Sequence, residues 1–164
     1  MLTHISIKDF TIVDTLELDL RQGFTAVTGE TGAGKSIMLD ALALATGSKS
    51  DANQVRPGAS KCEIYACFEF TAKSPIKKWL KDNDMDGDQD QVILSRIVTN
   101  EGRSRGYING RPAPQQQLKD LGAMLLDIHG QHAHQALLQK DSPRTLLDNF
   151  GKYQNLLDST KGSY

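Results

Sequence analysis

The chain has 164 residues, 38% of them hydrophobic and 24% charged, and its 19 Lys and Arg against 20 Asp and Glu leave a net charge of -1. That length suits one domain with a real core, and the near-neutral balance excludes the strong basic excess of a surface given over to nucleic acid, though not a local basic patch. No apolar run approaches the roughly 20 residues that span a bilayer and no basic-plus-apolar leader opens the chain, so it is expected to stay in the compartment where it is made, with no membrane partner.

Leu2 to Leu20 reads as two strands, because Ile5 and Ile7, then Leu16, Leu18 and Leu20, alternate with polar neighbours as in a half-buried antiparallel ribbon. Phe10, in the Lys8-Asp9-Phe10-Thr11-Ile12 segment between them, is read as core rather than as a base-stacking ring.

Phe24-Thr25-Ala26-Val27-Thr28 is a β-prone run that leads into Gly29-Glu30-Thr31-Gly32-Ala33-Gly34-Lys35-Ser36, a full match to the G-x-x-x-x-G-K-[ST] phosphate-binding loop. An apolar helix follows from Ile37 to Ala45, with Gly47 closing it. Gly29, Gly32 and Gly34 let backbone amides wrap phosphate oxygens, and the helix starting at Lys35 adds its free amides and dipole. Lys35 supplies a charge for the β- and γ-phosphates, and the Ser36 hydroxyl suits Mg²⁺.

Ser48 to Ser60 is a polar excursion in which Arg56 is either phosphate-facing or solvated. Cys62, Ile64, Ala66, Phe68 and Phe70 fall on one face of a strand, so Cys67 points to the other face and cannot bridge Cys62; two such thiols fit a reducing cytoplasm. Ser74 and Pro75 start a helix through Leu80. The carboxylates of Asp84, Asp86, Asp88 and Asp90 have the spacing of a calcium loop but lack its bidentate Glu, so a solvated loop is the reading.

A strand over 92–98, a turn at Asn100-Glu101-Gly102 and a partner strand over 103–108 form a ribbon closed by Asn109-Gly110. Its Arg96, Arg103, Arg105 and Arg111 are read as dressing the ribbon rather than facing DNA. A short helix is expected over 112–121 and a buried strand over 124–128. After Ser142-Pro143 the apolar residues Leu146, Phe150, Tyr153 and Leu157 mark an exit helix. Asp127-Ile128-His129-Gly130-Gln131 has the D-x-x-G-Q form of a small GTPase, yet no N-K-x-D base-reading stretch accompanies it. His129, His132 and His134 lack a fourth ligand and are read as local hydrogen bonding.

Thr28 to Ser36 with Leu39-Asp40-Ala41-Leu42 behind it, Val55-Arg56-Pro57-Gly58, Tyr107-Ile108-Asn109-Gly110 and Asp127-Ile128-His129-Gly130-Gln131-His132 together resemble the N-terminal part of the RecN family, the bacterial SMC-like ATPases of DNA double-strand-break repair. The likeness runs from residue 1 to about 150. It implies an α/β fold: a P-loop NTPase, the N-terminal lobe of an ABC/SMC-like head with an antiparallel β subdomain, over residues 1–142, and the start of a coiled-coil arm helix over 143–164.

The resemblance further implies ATP and Mg²⁺ as ligands, with Gly29, Glu30, Thr31, Gly32, Ala33, Gly34, Lys35, Ser36, Ile37 and Arg56 binding nucleotide. Lys35 and Gln131 take the catalytic positions, and Ser36 and Gln131 the metal. The implied partners are the C-terminal lobe of the same protein, a second head on dimerisation, and DNA in the intact protein, in the bacterial cytoplasm at the nucleoid. No L-S-G-G signature and no Walker B run follow Gln131 in this chain. A lobe of this kind is expected to turn over ATP negligibly alone and to self-associate. The alternatives are a GTPase-like switch built on Asp127 to Gln131 and a non-catalytic interaction lobe.

Overall fold

A computed structural model describes residues 1–28, 35–87 and 89–126 of a chain that divides into two compact units, Met1–Asp127 and Ile128–Tyr164. All the described residues belong to the first unit. The expected exit helix and the histidine-rich stretch lie outside them.

Six strands form one sheet: β1 (Leu2–Phe10), β2 (Val13–Asp19), β3 (Lys61–Glu69), β4 (Gln91–Thr99), β5 (Ser104–Ile108) and β6 (Arg111–Ala113). Their order is β2-β1-β3-β4-β5-β6 and every neighbouring pair is antiparallel. The period-two pattern explains which residues face the core. Ile5 and Ile7 of β1, Cys62, Ile64, Ala66 and Phe68 of β3, and Val92, Leu94 and Val98 of β4 are all buried, and burial of each large aliphatic side chain stabilises by about 1.5–3 kcal/mol. Phe10 is buried among them, as expected of a core residue.

Helices α1 (Lys35–Ala45) and α3 (Gln115–Leu125) pack on the sheet, α1 over β3 and β4 and α3 over β5, while α2 (Pro75–Asp82) packs on α3. The sequence signals for several junctions hold. Ser74 Oγ accepts the Ile76 N–H at 3.3 Å, with Pro75 as the first helical residue. Asn109 (φ 49°) and Gly110 (φ 76°) are both left-handed, as a two-residue hairpin turn requires. Asn109 also ties neighbours together: its Oδ1 accepts the Ile93 N–H at 2.9 Å and its Nδ2 donates to the Met85 carbonyl at 2.8 Å.

Three expectations fail in informative ways. Pro112 lies in β6, and the helix expected from it starts instead at Gln115; β6 is an edge strand, where a missing N–H costs no ladder bond. Met124 and Leu125, expected in a strand, complete α3, because Leu118, Leu121 and Leu125 recur at helical spacing on its packed side. The β-prone run 24–28 is no strand: no strand among the described residues pairs with it, and Phe24 is 95% and Val27 46% exposed.

Candidate functional site

The phosphate-loop match runs directly into α1. Gly29, Glu30, Thr31, Gly32, Ala33 and Gly34 lie outside the described residues, as does Gln131. Lys35 is the first residue of the helix, Ser36 is exposed in its first turn, and Ile37 is half-buried against the core. An α-helix leaves its first four N–H groups without intrahelical partners and concentrates positive potential there, so the start of α1 offers donors and a field that favour an anion. Backbone amides donate to phosphate oxygens, and the exposed Ser36 hydroxyl carries an oxygen of the kind a hard divalent cation takes. Here the helix is apolar nearly all round, but its N-terminal half is not enclosed: Leu39 is 43% exposed, whereas Ala41, Leu42, Leu44 and Ala45 are buried.

The far end of α1 is fixed. The Ser48 N–H donates to the Ala43 carbonyl at 2.9 Å and the Gly47 N–H to the Leu44 carbonyl at 3.2 Å, the pair of bonds that closes a helix through a left-handed residue, here Gly47 at φ 94°. Gln115 Nε2 of α3 donates to the Gly47 carbonyl at 2.9 Å.

Arg56, left open between phosphate-facing and solvated, is held in an ion pair. Its guanidinium lies 2.8 Å from Asp14 Oδ1 and 3.9 Å from Asp9 Oδ1. Its backbone is tied to the β1–β2 hairpin: the Arg56 N–H donates to the Asp9 carbonyl at 2.8 Å, the Thr11 N–H donates to the Gln54 carbonyl at 2.8 Å, and Phe10 bridges Val55. A turn of 3-10 helix at Ala52–Gln54 precedes it, closed by a capping box from Asp51. Neither Asp9 nor Asp14 was flagged by motif. The hairpin register brings them to one corner: Lys8 pairs Thr15 and Phe10 pairs Val13, so Asp9 and Asp14 lie on neighbouring stretches of β1 and β2, within reach of one cation.

The four ribbon arginines do not form one surface. Arg96 is 4% exposed on the inward side of β4, opposite Ile64 of β3 and Gly106 of β5. Burial pushes its pKa down, and among the described residues it has no carboxylate partner. Gly106 makes the room: a Cβ there would stand 3.2 Å from Arg96 Nη1 and 2.2 Å from Leu118 Cδ1. Arg103 pairs with Glu101 at 3.5 Å and Arg111 with Asp86 at 4.0 Å, surface pairs of the expected kind. Cys62 is buried, which pushes its thiol pKa up, and Cys67 is half-buried on the opposite face. No described helix is long and apolar enough to cross a membrane.

Comparison with known proteins places this geometry. Residues 4–161 match the family model described as an AAA domain. The chain is 44% identical over its whole length to the DNA repair protein RecN of Vibrio cholerae, and it spans about 29% of that protein's length. Among solved structures, it superposes with a TM-score of 0.64 at 22% identity on an Smc head domain with an extended coiled coil from Pyrococcus furiosus, covering 98% of this chain and 46% of that one. A second SMC ATPase structure, from work on ATP-driven dimerisation and DNA-stimulated activation, gives a TM-score of 0.63 at 22% identity, covering 91% of this chain and 98% of that one. The fold is therefore that of a P-loop NTPase, the N-terminal lobe of an SMC-like head carrying an antiparallel β subdomain. On the match to its family model the chain belongs to the AAA domain family, and its sequence is RecN-like from end to end.

Proposed function

We propose that this chain is the ATP-binding lobe of an SMC-like ATPase head that acts in DNA double-strand-break repair and recombination. The observation that carries the reading is that the G-x-x-x-x-G-K-[ST] sequence ends at the start of α1, whose first residue is Lys35 and whose first amides lack intrahelical partners. In this reading residues 1–142 are the lobe and residues 143–164 begin a coiled-coil arm. The amides of Gly29 to Gly34 and the Lys35 ammonium hold and neutralise the β- and γ-phosphates. Ser36 and Gln131 would hold Mg²⁺, which would supply charge neutralisation at the phosphates. Ile37 packs beneath the nucleotide, Gln131 orients the attacking water, and Arg56 reaches a phosphate.

The work left to the protein is positioning and electrostatic stabilisation of an in-line attack. The signature and the Walker B carboxylate that complete such a site would come from the C-terminal lobe and from a second head. ATP-driven engagement of two heads would regulate the grip on DNA. Support comes from the RecN relatives, named as DNA repair proteins, and from the exposed apolar side chains Phe24, Val27 and Leu39, which a complementary lobe would cover. The same exposure supports self-association of the isolated lobe. Purified chain is expected to show no ATP hydrolysis above that of its Lys35→Ala variant. Robust turnover abolished by Lys35→Ala would overturn the half-site reading.

A further inference from the structure

Around Arg56, for which the nucleotide-binding reading gives only a phosphate contact, lie features that reading does not use. Asp9 and Thr11 both sit at φ 51°, a left-handed conformation that is uncommon for Asp and an outlier for β-branched Thr. Two carboxylates from the two strands of the hairpin lie against the Arg56 guanidinium, Asp14 at 2.8 Å and Asp9 at 3.9 Å. The backbone at Arg56 is held by its hydrogen bond to the Asp9 carbonyl and by that from Thr11 to Gln54, which leaves the freedom at this position to the side chain. It is 40% exposed and its nearer partner, Asp14, is 72% exposed. Beside it opens a polar groove of about 600 Å³ walled by Lys8, Asp9, Arg56, Lys61 and Glu63.

From this geometry we infer that Asp14 is a displaceable counter-ion that parks Arg56, and that a phosphate oxyanion recruits Arg56 by taking it from Asp14. An exposed Arg–carboxylate pair is weak, and a phosphate with two or three charged oxygens outcompetes a single carboxylate for a bidentate guanidinium. Release has a second effect. With the guanidinium gone, Asp9 and Asp14 lose the cation they share beside the strained Thr11 turn, so occupancy of Arg56 is coupled to the hairpin. Asp14 is thus a positioning residue that acts through Arg56. The phosphate can belong to a nucleotide or to a nucleic-acid backbone. The inference deepens the proposed function, and rests on it where the nucleotide is the source.

The test uses the whole 164-residue chain, as wild type, Asp14→Asn, Arg56→Ala, the double variant and Lys35→Ala, titrated separately with Mg·ATP and with a duplex DNA oligonucleotide. Asp14→Asn is expected to tighten binding of one of the two by about two- to five-fold, the factor that an exposed ion pair represents. It should have no effect on the Arg56→Ala background. Tightening in the Mg·ATP arm assigns the nucleotide, and tightening in the duplex arm assigns the nucleic-acid backbone. Amide exchange at Thr11 and Arg56 should stay unchanged in Asp14→Asn, since neither backbone bond uses the carboxylate. Unchanged affinity in both arms, an equal gain on the Arg56→Ala background, or faster exchange at those amides overturns the latch. If Lys35→Ala abolishes Mg·ATP binding while Asp14→Asn changes nothing in either arm, the latch fails and the lobe reading stands. If Lys35→Ala leaves Mg·ATP binding intact, the lobe reading fails and the duplex arm still decides the latch.

Discussion

Gly47 closes the helix that carries the phosphate loop, and replacing it by alanine tests how that helix is anchored. Its φ of 94° is strained for any residue with a Cβ, a cost of about 1–2 kcal/mol. A Cβ there would also stand 2.7 Å from the Lys119 amide nitrogen and 2.9 Å from the Gln115 carbonyl oxygen. Both are backbone atoms of α3, which cannot swing aside as a side chain would, and overpacking of this kind costs about 1–3 kcal/mol. Gly47→Ala should therefore lose roughly 2–5 kcal/mol, or about 4–20 °C in melting temperature for a domain of this size. Gly110 is the control: it has φ 76° but nothing within 4 Å of an added Cβ, so Gly110→Ala should cost only the strain, ~1 kcal/mol. Urea denaturation of the two variants beside wild type measures the difference. Equal losses would refute the clash, and with it the claim that α3 clamps the end of α1.

Gly106→Ala should destabilise because its Cβ would meet Leu118 Cδ1 at 2.2 Å, and Leu118→Ala should cost about 2–5 kcal/mol as a cavity. The double variant should lose clearly less than the sum, and additive losses in denaturation would contradict the packing of α3 on β5. Cys67 should react with a thiol reagent in the native state faster than Cys62, whose burial raises its pKa; peptide mapping after a short pulse reads the ratio, and equal labelling would contradict the strand's facing. Titration with ATP and with GTP should show tighter ATP binding, and the reverse would revive the GTPase-like reading of Asp127 to Gln131.

Much of the fold was legible where a strand alternates cleanly, as β3 does. Cys62 to Phe68 could be read directly, and Asn109-Gly110 and Ser74-Pro75 named their turn and cap by mechanism. Arg96 was misread as surface although the parity of Val92, Leu94 and Val98 already pointed it inward. What hid the answer was the cross-strand partner, since the space for a guanidinium exists only because Gly106 lies opposite. Pro112 was ambiguous for a related reason, being tolerated both at a helix start and at a sheet edge. The run 24–28 has strand propensity, but propensity forms no strand without a neighbour to complete the ladder. The phosphate loop itself was legible residue by residue because its chemistry dictates its sequence. Arg56 was legible as a candidate, but its ion pair depends on the register of a hairpin more than 40 residues earlier in the chain.

The central claim is that a triphosphate is held at the start of α1. Calorimetric titration of Mg·ATP into the chain and into its Lys35→Ala variant tests it most directly. The account expects measurable binding by the wild type that weakens at least about ten-fold, some 1.4 kcal/mol, in the variant, with both proteins equally stable to urea. Equal affinity in the two proteins would contradict it.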